Sequence, residues 1–242
     1  MLGRMVTGDL RRAREAWLVR ALESLRSHPD VKAAFLWGSL AGGTSDDWSD
    51  VDFIVFVDDA VIGELMAELR RRESPLCTAV LVAEMPQNGV EGGGYLSATY
   101  VQDDWPLHVD WYLCPAADAA HFSDAVLVVG SAEMPTAPTS FSGLLQARRS
   151  TQRITCPAED FVLWMIPIVA KYVVRRSPQT DRLLTLVGLP AGLSATHAIA
   201  ELRQLLSQAA SSDQEATTAI RRLLDLADAS LAAVLPRSDR RP

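Results

Sequence analysis

The stretch FLWGSLAGGTSDDWSDVDFIVFVDD, residues 35–59, decides how the rest of the chain is read. It joins the ends of two apolar runs, 31–37 and 51–57, through a loose loop rich in glycine and serine. The second run, VDFIVFV, is β-branched and apolar on both faces, which predicts a central strand. Asp50 and Asp52 interrupt that pattern at its start. Side chains two apart on a strand point to the same face, so these carboxylates converge. Two anions at the mouth of an apolar strand repel each other, and burial adds a desolvation cost. A divalent cation removes both penalties; Mg2+ takes one or two carboxylates and completes its shell with water and phosphate oxygens.

The first run ends directly in Gly38-Ser39. A glycine there lets backbone approach a phosphate closely, and Ser39 can offer a hydroxyl and an N–H where partial positive charge favours anions. Taken singly, Gly38 reads as a turn glycine and Ser39 as a helix cap. Followed after ten residues by Asp-x-Asp, they outline one composite site, with phosphates on one side and metal on the other. A third acid is expected from a neighbouring strand. Asp110, mid-strand in PLHVDWYL, qualifies. Three carboxylates so placed suit in-line displacement at phosphorus with one or two metals. His108 shares the strand face of Asp110 and reads as a hydrogen-bonded structural histidine; His28, His121 and His197 are isolated.

Around this centre the pattern predicts a helix over 10–27 and strands over 31–37, 51–57, 78–83, 95–102, 107–114 and 125–129. Asp59 is the expected N-cap of a helix through DDAVIGELMAELRRR. DDWP, residues 103–106, has turn composition and predicts a hairpin. Beyond the Pro/Ser/Thr-rich segment that starts at Gly130, strand patterns cease. Helices are expected over 141–154, 158–176, 179–187, 195–209 and 215–234, the last with Ile220, Leu223, Leu224, Ala227 and Leu231 as its apolar stripe. The expected fold class is α+β: a mixed sheet flanked by helices over 1–135, then a helical bundle over 136–242, with the site in the cleft between them.

Composition narrows the function. The 242 residues are 48% hydrophobic and 22% charged, with no repeats, the profile of an ordinary globular chain. A formal net charge of -7 turns expectation away from nucleic acid, whose binders need a basic face, and towards small or cationic partners. The runs RRAR, RRR and ARRSTQR read as solvated helix faces. Cys77, Cys114 and Cys156 are far apart, without CxxC or histidine pairing, and read as small hydrophobes. The most apolar run, Phe161–Val174, is 14 residues long and holds Pro167 and Lys171, too short and interrupted to span a bilayer. The N-terminus lacks an apolar core of signal-peptide length, so a cytoplasmic protein is expected. Asp103, Asp104 and Trp105 are candidates for a cationic-substrate pocket.

GSLAGGTSDDWSDVD, with apolar strands on both sides and Asp110 downstream, resembles the signature of the nucleotidyltransferase superfamily related to DNA polymerase β. The helical second half makes the chain more similar to bacterial antibiotic nucleotidyltransferases acting on aminoglycosides or lincosamides. The motif likeness covers about residues 31–113. The resemblance implies a Mg2+-dependent transfer of a nucleoside monophosphate, AMP from ATP or another nucleoside triphosphate, to a hydroxyl of a small molecule, with pyrophosphate released. It implies Asp50, Asp52 and Asp110 as metal ligands, Asp110 also as the general base, and Gly38, Ser39, Ser49 and Lys171 as nucleotide-binding residues. Lys171, in VAKYVVRR, resembles a family lysine that reaches the triphosphate; as a bare residue it could equally snorkel from a core helix. Minimal toxin–antitoxin enzymes often carry arginine in GSxARG, where this chain has Leu40-Ala41-Gly42-Gly43. Two rivals stay open: an enzyme directed at a protein or tRNA end, and a non-catalytic nucleotide-binding module. The second would be marked by a lost carboxylate, and all three acids are present.

Overall fold

The computed structural model describes residues 7–70, 79–153, 158–209 and 213–234. Helix α1 (Thr7–Ser27) leads into strand β1 (Val31–Trp37), a single turn α2 (Gly38–Ala41) and strand β2 (Val51–Val57). Helix α3 (Ile62–Leu69), strand β3 (Ala79–Glu84), the hairpin β4 (Gly94–Gln102) and β5 (Trp105–Pro115), and strand β6 (Val126–Val129) follow. The rest is helical: α4 (Phe141–Ala147), α5 (Ala158–Val174), α6 (Thr180–Leu186), α7 (Ala195–Gln208) and α8 (Gln214–Val234). The class is therefore α+β, with a mixed six-stranded sheet in the order β3-β4-β5-β2-β1-β6.

Every neighbouring pair is antiparallel except β2–β5, which is parallel and central. That position explains why VDFIVFV is apolar on both faces after Asp52, since both faces are covered. On one face Trp17 of α1 packs on Tyr100 at 4.8 Å, beside the stacked pair Phe53–Trp111, also at 4.8 Å. On the other, Phe35, Ile54, Phe56 and Tyr112 pack with Phe141 of α4. Helices α5, α7 and α8 pack on one another, and α5 and α8 lie against the β3–β4–β5 side of the sheet. Their apolar residues join the cluster that includes Trp17 and Phe53.

Three expectations need correction. Asp59 does not cap α3: residues Asp59–Val61 form a 3-10 turn, the N-cap position of α3 is Val61, and no side chain caps either. Helix α4 stops at Ala147 rather than running to 154. Beyond it Arg148 O accepts from Glu91 N at 2.6 Å and Ser150 N donates to Gly89 O at 3.0 Å. The loop before β4 thus takes backbone groups that another helical turn would have used. In RRAR, Arg11 and Arg12 are exposed but Arg14 is buried at 4% exposure. Cys114 is free and buried, as expected of a small hydrophobe; Cys77 and Cys156 lie outside the described residues. No described helix is long and apolar enough to cross a membrane.

Candidate functional site

The parallel pairing of β2 with β5 sets Asp52 directly beside Asp110 in register. Adjacent residues in register share a face, so two strand carboxylates 58 positions apart in sequence become neighbours. Trp37, the last residue of β1, pairs with Asp52 on its other side. The chain then turns at Gly38, whose φ is +67°, a region that side-chain-bearing residues rarely occupy. A Cβ at Gly38 would collide with Asp52 Oδ2 and lie 3.2 Å from its Cγ. Glycine is required there twice, by the backbone angle and by the carboxylate packed against it. The turn is closed by Gly42 N donating to Gly38 O and Thr44 N donating to Ser39 O. Among the described residues the Ser39 hydroxyl has no hydrogen-bond partner.

Burial holds the Asp52 carboxyl well above its ordinary range, and the charges of Asp110 and Asp50 add to the rise while Lys171 opposes it. Burial would also raise Asp110, but hydrogen bonds from His108, Ser97 and Tyr95 outweigh it and hold that group below its ordinary value. Ser97 Oγ donates to Asp110 Oδ1 at 2.5 Å, and His108 Nε2 lies 3.4 Å from the same oxygen. The pair is thus asymmetric: Asp110 is solvated by protein donors, whereas Asp52 faces like charge. A bound divalent cation is the natural relief, and hard carboxylate oxygens are the donors Mg2+ accepts.

Asp50 is turned elsewhere. It forms an ion pair with Lys171 of α5, whose side chain is buried. Among the described residues no three His, Cys, Asp or Glu side chains converge in a metal-binding arrangement. The donor set fits a cation through Asp52 and Asp110, with Asp50 within the same charge cluster and engaged by the lysine.

The loop between Gly42 and Asp50 is pinned from two helices. Arg14 of α1 donates to Asp46 O at 2.8 Å and Ser49 O at 2.9 Å. Arg175, just past α5, donates through Nε to Asp46 Oδ2 at 2.8 Å and through Nη2 to Oδ1. Ser49 is buried inside this network, its hydroxyl 3.0 Å from Asp46 Oδ1 and 3.2 Å from Arg175 Nη2. Gly38, Ser39, Ser49, Asp50, Asp52, Asp110 and Lys171 are therefore gathered in one region. A cavity of about 350 Å3, bordered by Trp37, Gly38, Gly42 and Ser142, adjoins the turn.

Asp103, Asp104 and Trp105 are not part of that gathering. Asp103 and Asp104 form the two-residue turn of the β4–β5 hairpin, with φ of 52° and 64°. Trp105 is buried beneath Arg222, whose guanidinium lies 4.2 Å from the ring centroid and also bonds Asp103 O and Asp104 Oδ2. Trp105 lies five positions from Asp110 along the strand, roughly 16 Å.

The sequence reading passed over Ser97, Arg14, Arg175 and Trp164. Two of them carried a signal. Arg14 falls on the helical stripe Leu10, Ala13, Trp17, so spacing alone turns it inward. Ser97 is an isolated hydroxyl in the apolar strand GYLSATYV, and a buried hydroxyl needs a partner.

Residues 21–81 match the family model Polymerase beta, Nucleotidyltransferase. The matched segment holds β1, the Gly38-Ser39 turn, Asp50 and Asp52; Asp110 lies beyond the match. No curated protein matches the chain. Among solved structures, the STING-associated CdnE c-di-GMP synthase from Capnocytophaga granulosa aligns at 11% identity, over 93% of this chain and 81% of that one, with a TM-score of 0.33. At that distance the alignment carries nothing about substrate.

Proposed function

We propose that the protein transfers a nucleoside monophosphate, AMP from ATP, to a hydroxyl of a small molecule. The observation that supports this best is the register pairing of Asp52 with Asp110 beside a glycine turn packed on Asp52. Asp52, with Asp50 and Asp110 in the same cluster, would hold Mg2+, which when bound neutralises the phosphates and polarises the α-phosphorus. Gly38 and Ser39 would receive the β- and γ-phosphates, for which the unpartnered Ser39 hydroxyl is suited. Lys171 would offset charge building on the leaving pyrophosphate.

Asp110 serves as proton acceptor. The acceptor oxygen attacks the α-phosphorus, the bond from that phosphorus to the bridging oxygen of the β-phosphate breaks, and the hydroxyl proton passes to the carboxylate. Being held below its ordinary pKa by its donors, Asp110 is ionised at neutral pH and ready for that role. Ser49 contributes by holding the loop that carries Asp50. An aminoglycoside or lincosamide acceptor rests on the sequence resemblance and the acidic balance of the chain.

The test is direct. Purified protein with Mg2+ and labelled ATP or GTP is offered a panel of aminoglycosides, lincosamides, nucleotides and simple polyols. Pyrophosphate release with a labelled adduct, lost in Asp52→Asn, is expected. No release with any nucleotide and any acceptor overturns the reading.

A further inference from the structure

Ser97 carries a single proton and sits among four groups, one of them Tyr95, which hydrogen-bonds both Ser97 and Asp110. Its Oγ is 2.5 Å from Asp110 Oδ1, 2.9 Å from His108 Nε2 and 3.3 Å from Trp164 Nε1. The Ser97 hydroxyl donates to Asp110 Oδ1. Indole nitrogen can only donate, so Trp164 donates to Ser97. With its proton spent on Asp110, Ser97 can only accept from His108, which must therefore carry hydrogen on Nε2. Nε2 is therefore the donor toward Ser97, and Nδ1 is buried without a hydrogen-bond partner among the described residues. His108 also lines a cavity of about 30 Å3 shared with Arg14, Asp50 and Lys171, with room for one water molecule.

We infer that Ser97, His108 and Trp164 are positioning residues for Asp110. Two donors aimed at the serine oxygen hold its hydroxyl in the one rotamer that points at the carboxylate, and the ring of His108 is in turn held against Trp164 at 5.5 Å. Asp110 therefore meets substrate with its orientation already set. Trp164 and Lys171 lie seven residues apart on α5, two helical turns on one face. One helix of the second half thus reaches Asp110 through Ser97 and Asp50 through Lys171. The chain's division of labour follows: the sheet supplies the acids and α5 sets their directions.

This inference rests on the proposed proton-acceptor role of Asp110, and the experiment keeps the two apart. Pyrophosphate release from Mg–ATP, with whichever acceptor of the panel is active, is compared in Asp110→Asn, Ser97→Ala, Ser97→Thr, His108→Leu, His108→Gln and Trp164→Phe. Ser97→Ala and His108→Leu should lower kcat about 10–100-fold, the loss of a hydrogen bond to a charged group, with the KM for ATP unchanged. Ser97→Thr and His108→Gln, which keep a hydroxyl and a donor near Nε2, should recover most of the rate. Trp164→Phe, which removes only the weaker donor, should cost less than either. Parental kcat in Ser97→Ala and His108→Leu beside an inactive Asp110→Asn overturns the inference; parental kcat in Asp110→Asn overturns the role of Asp110 instead. A second measurement needs no variant. Nitrogen-15 spectra of the histidine rings in the parental protein should show hydrogen on His108 Nε2, and an Nε2 without hydrogen overturns the arrangement.

Discussion

Two acidic pairs stand out in the sequence, Asp50/Asp52 and Asp103/Asp104, and each meets a cation from the helical half. Asp50 meets Lys171, and Asp104 meets Arg222. The resemblance ends there. The side chain of Asp104 is 79% exposed on a hairpin turn, so its charge is hydrated and its ion pair is worth little. Asp52 sits between Trp37 and Asp110 in the middle of a sheet, where the charges of Asp110 and Asp50 add to the cost of its burial and Lys171 offsets only part of it. Asp50, at 24% exposure, is paired with a lysine at 8%. Equal composition therefore carries unequal chemistry: only the cluster around Asp52 stores electrostatic energy that binding a metal cation can release.

The sharpest way to break this contrast is Asp52→Asn. It should abolish transfer, while the metal-free protein melts at the same or a higher temperature, because a buried, repelled anion has gone. Turnover near the parental rate with Mg2+ present would remove Asp52 from the site. Next in size is Asp110→Asn, expected to lower kcat by about 10²–10⁴-fold, the usual share of general-base catalysis. Calorimetric titration with Mg–ATP sharpens it: unchanged affinity marks a proton acceptor, and weakened, Mg2+-dependent affinity marks a metal ligand.

Ser39→Ala should raise the KM for nucleotide by roughly one to two decades, about 1.5–3 kcal/mol for one hydrogen bond to a charged group, leaving the acceptor's KM in place. Equal KM values in variant and parent would reduce Ser39 to a turn residue. Asp50→Asn separates the two members of the strand pair by stability. Unlike Asp52, Asp50 has a partner, and removing it strands a buried lysine; calorimetry should find a loss of about 1–3 kcal/mol, discounted for the partial exposure of Asp50. A variant as stable as the parent would mean the Lys171 pair is idle. The smallest effect belongs to the turn: Asp104→Asn should shift the melting temperature by no more than about 2 °C and leave kcat alone. A lost activity there would return the hairpin turn to the substrate site.

Much of this was legible from residues. The apolar run 53–57 announced a central strand, but the expected shared face of Asp50 and Asp52 is not kept: Asp50 precedes the strand and turns to Lys171. The boundaries of β1 and β2 follow from runs ended by glycine and by charge, so they agree with the structure. The end of α4 was not legible, because backbone groups of a distant loop compete for its last turn, and nothing near Arg148 encodes that loop. Arg175 likewise carries no local signal; its partner Asp46 is 129 positions away.

What the sequence by itself determined is therefore local: two strands, a glycine turn between them, a pair of carboxylates at fixed spacing, and helices with apolar stripes. These depend on periodicity and on backbone preferences within a few residues. Asp110 was a candidate by its strand position, but which neighbour it meets and what each acid faces only the tertiary structure decided. A parallel alignment of β2 with β5, one residue out of register, would place Val109 or Trp111 beside Asp52 in place of Asp110. The same packing delivers Lys171 to Asp50 and Trp164 to Ser97, and so separates two chemically equal aspartates into one paired with a cation and one facing its own charge. Charge and desolvation act through space over a few ångströms, and distance along the chain says nothing about that separation.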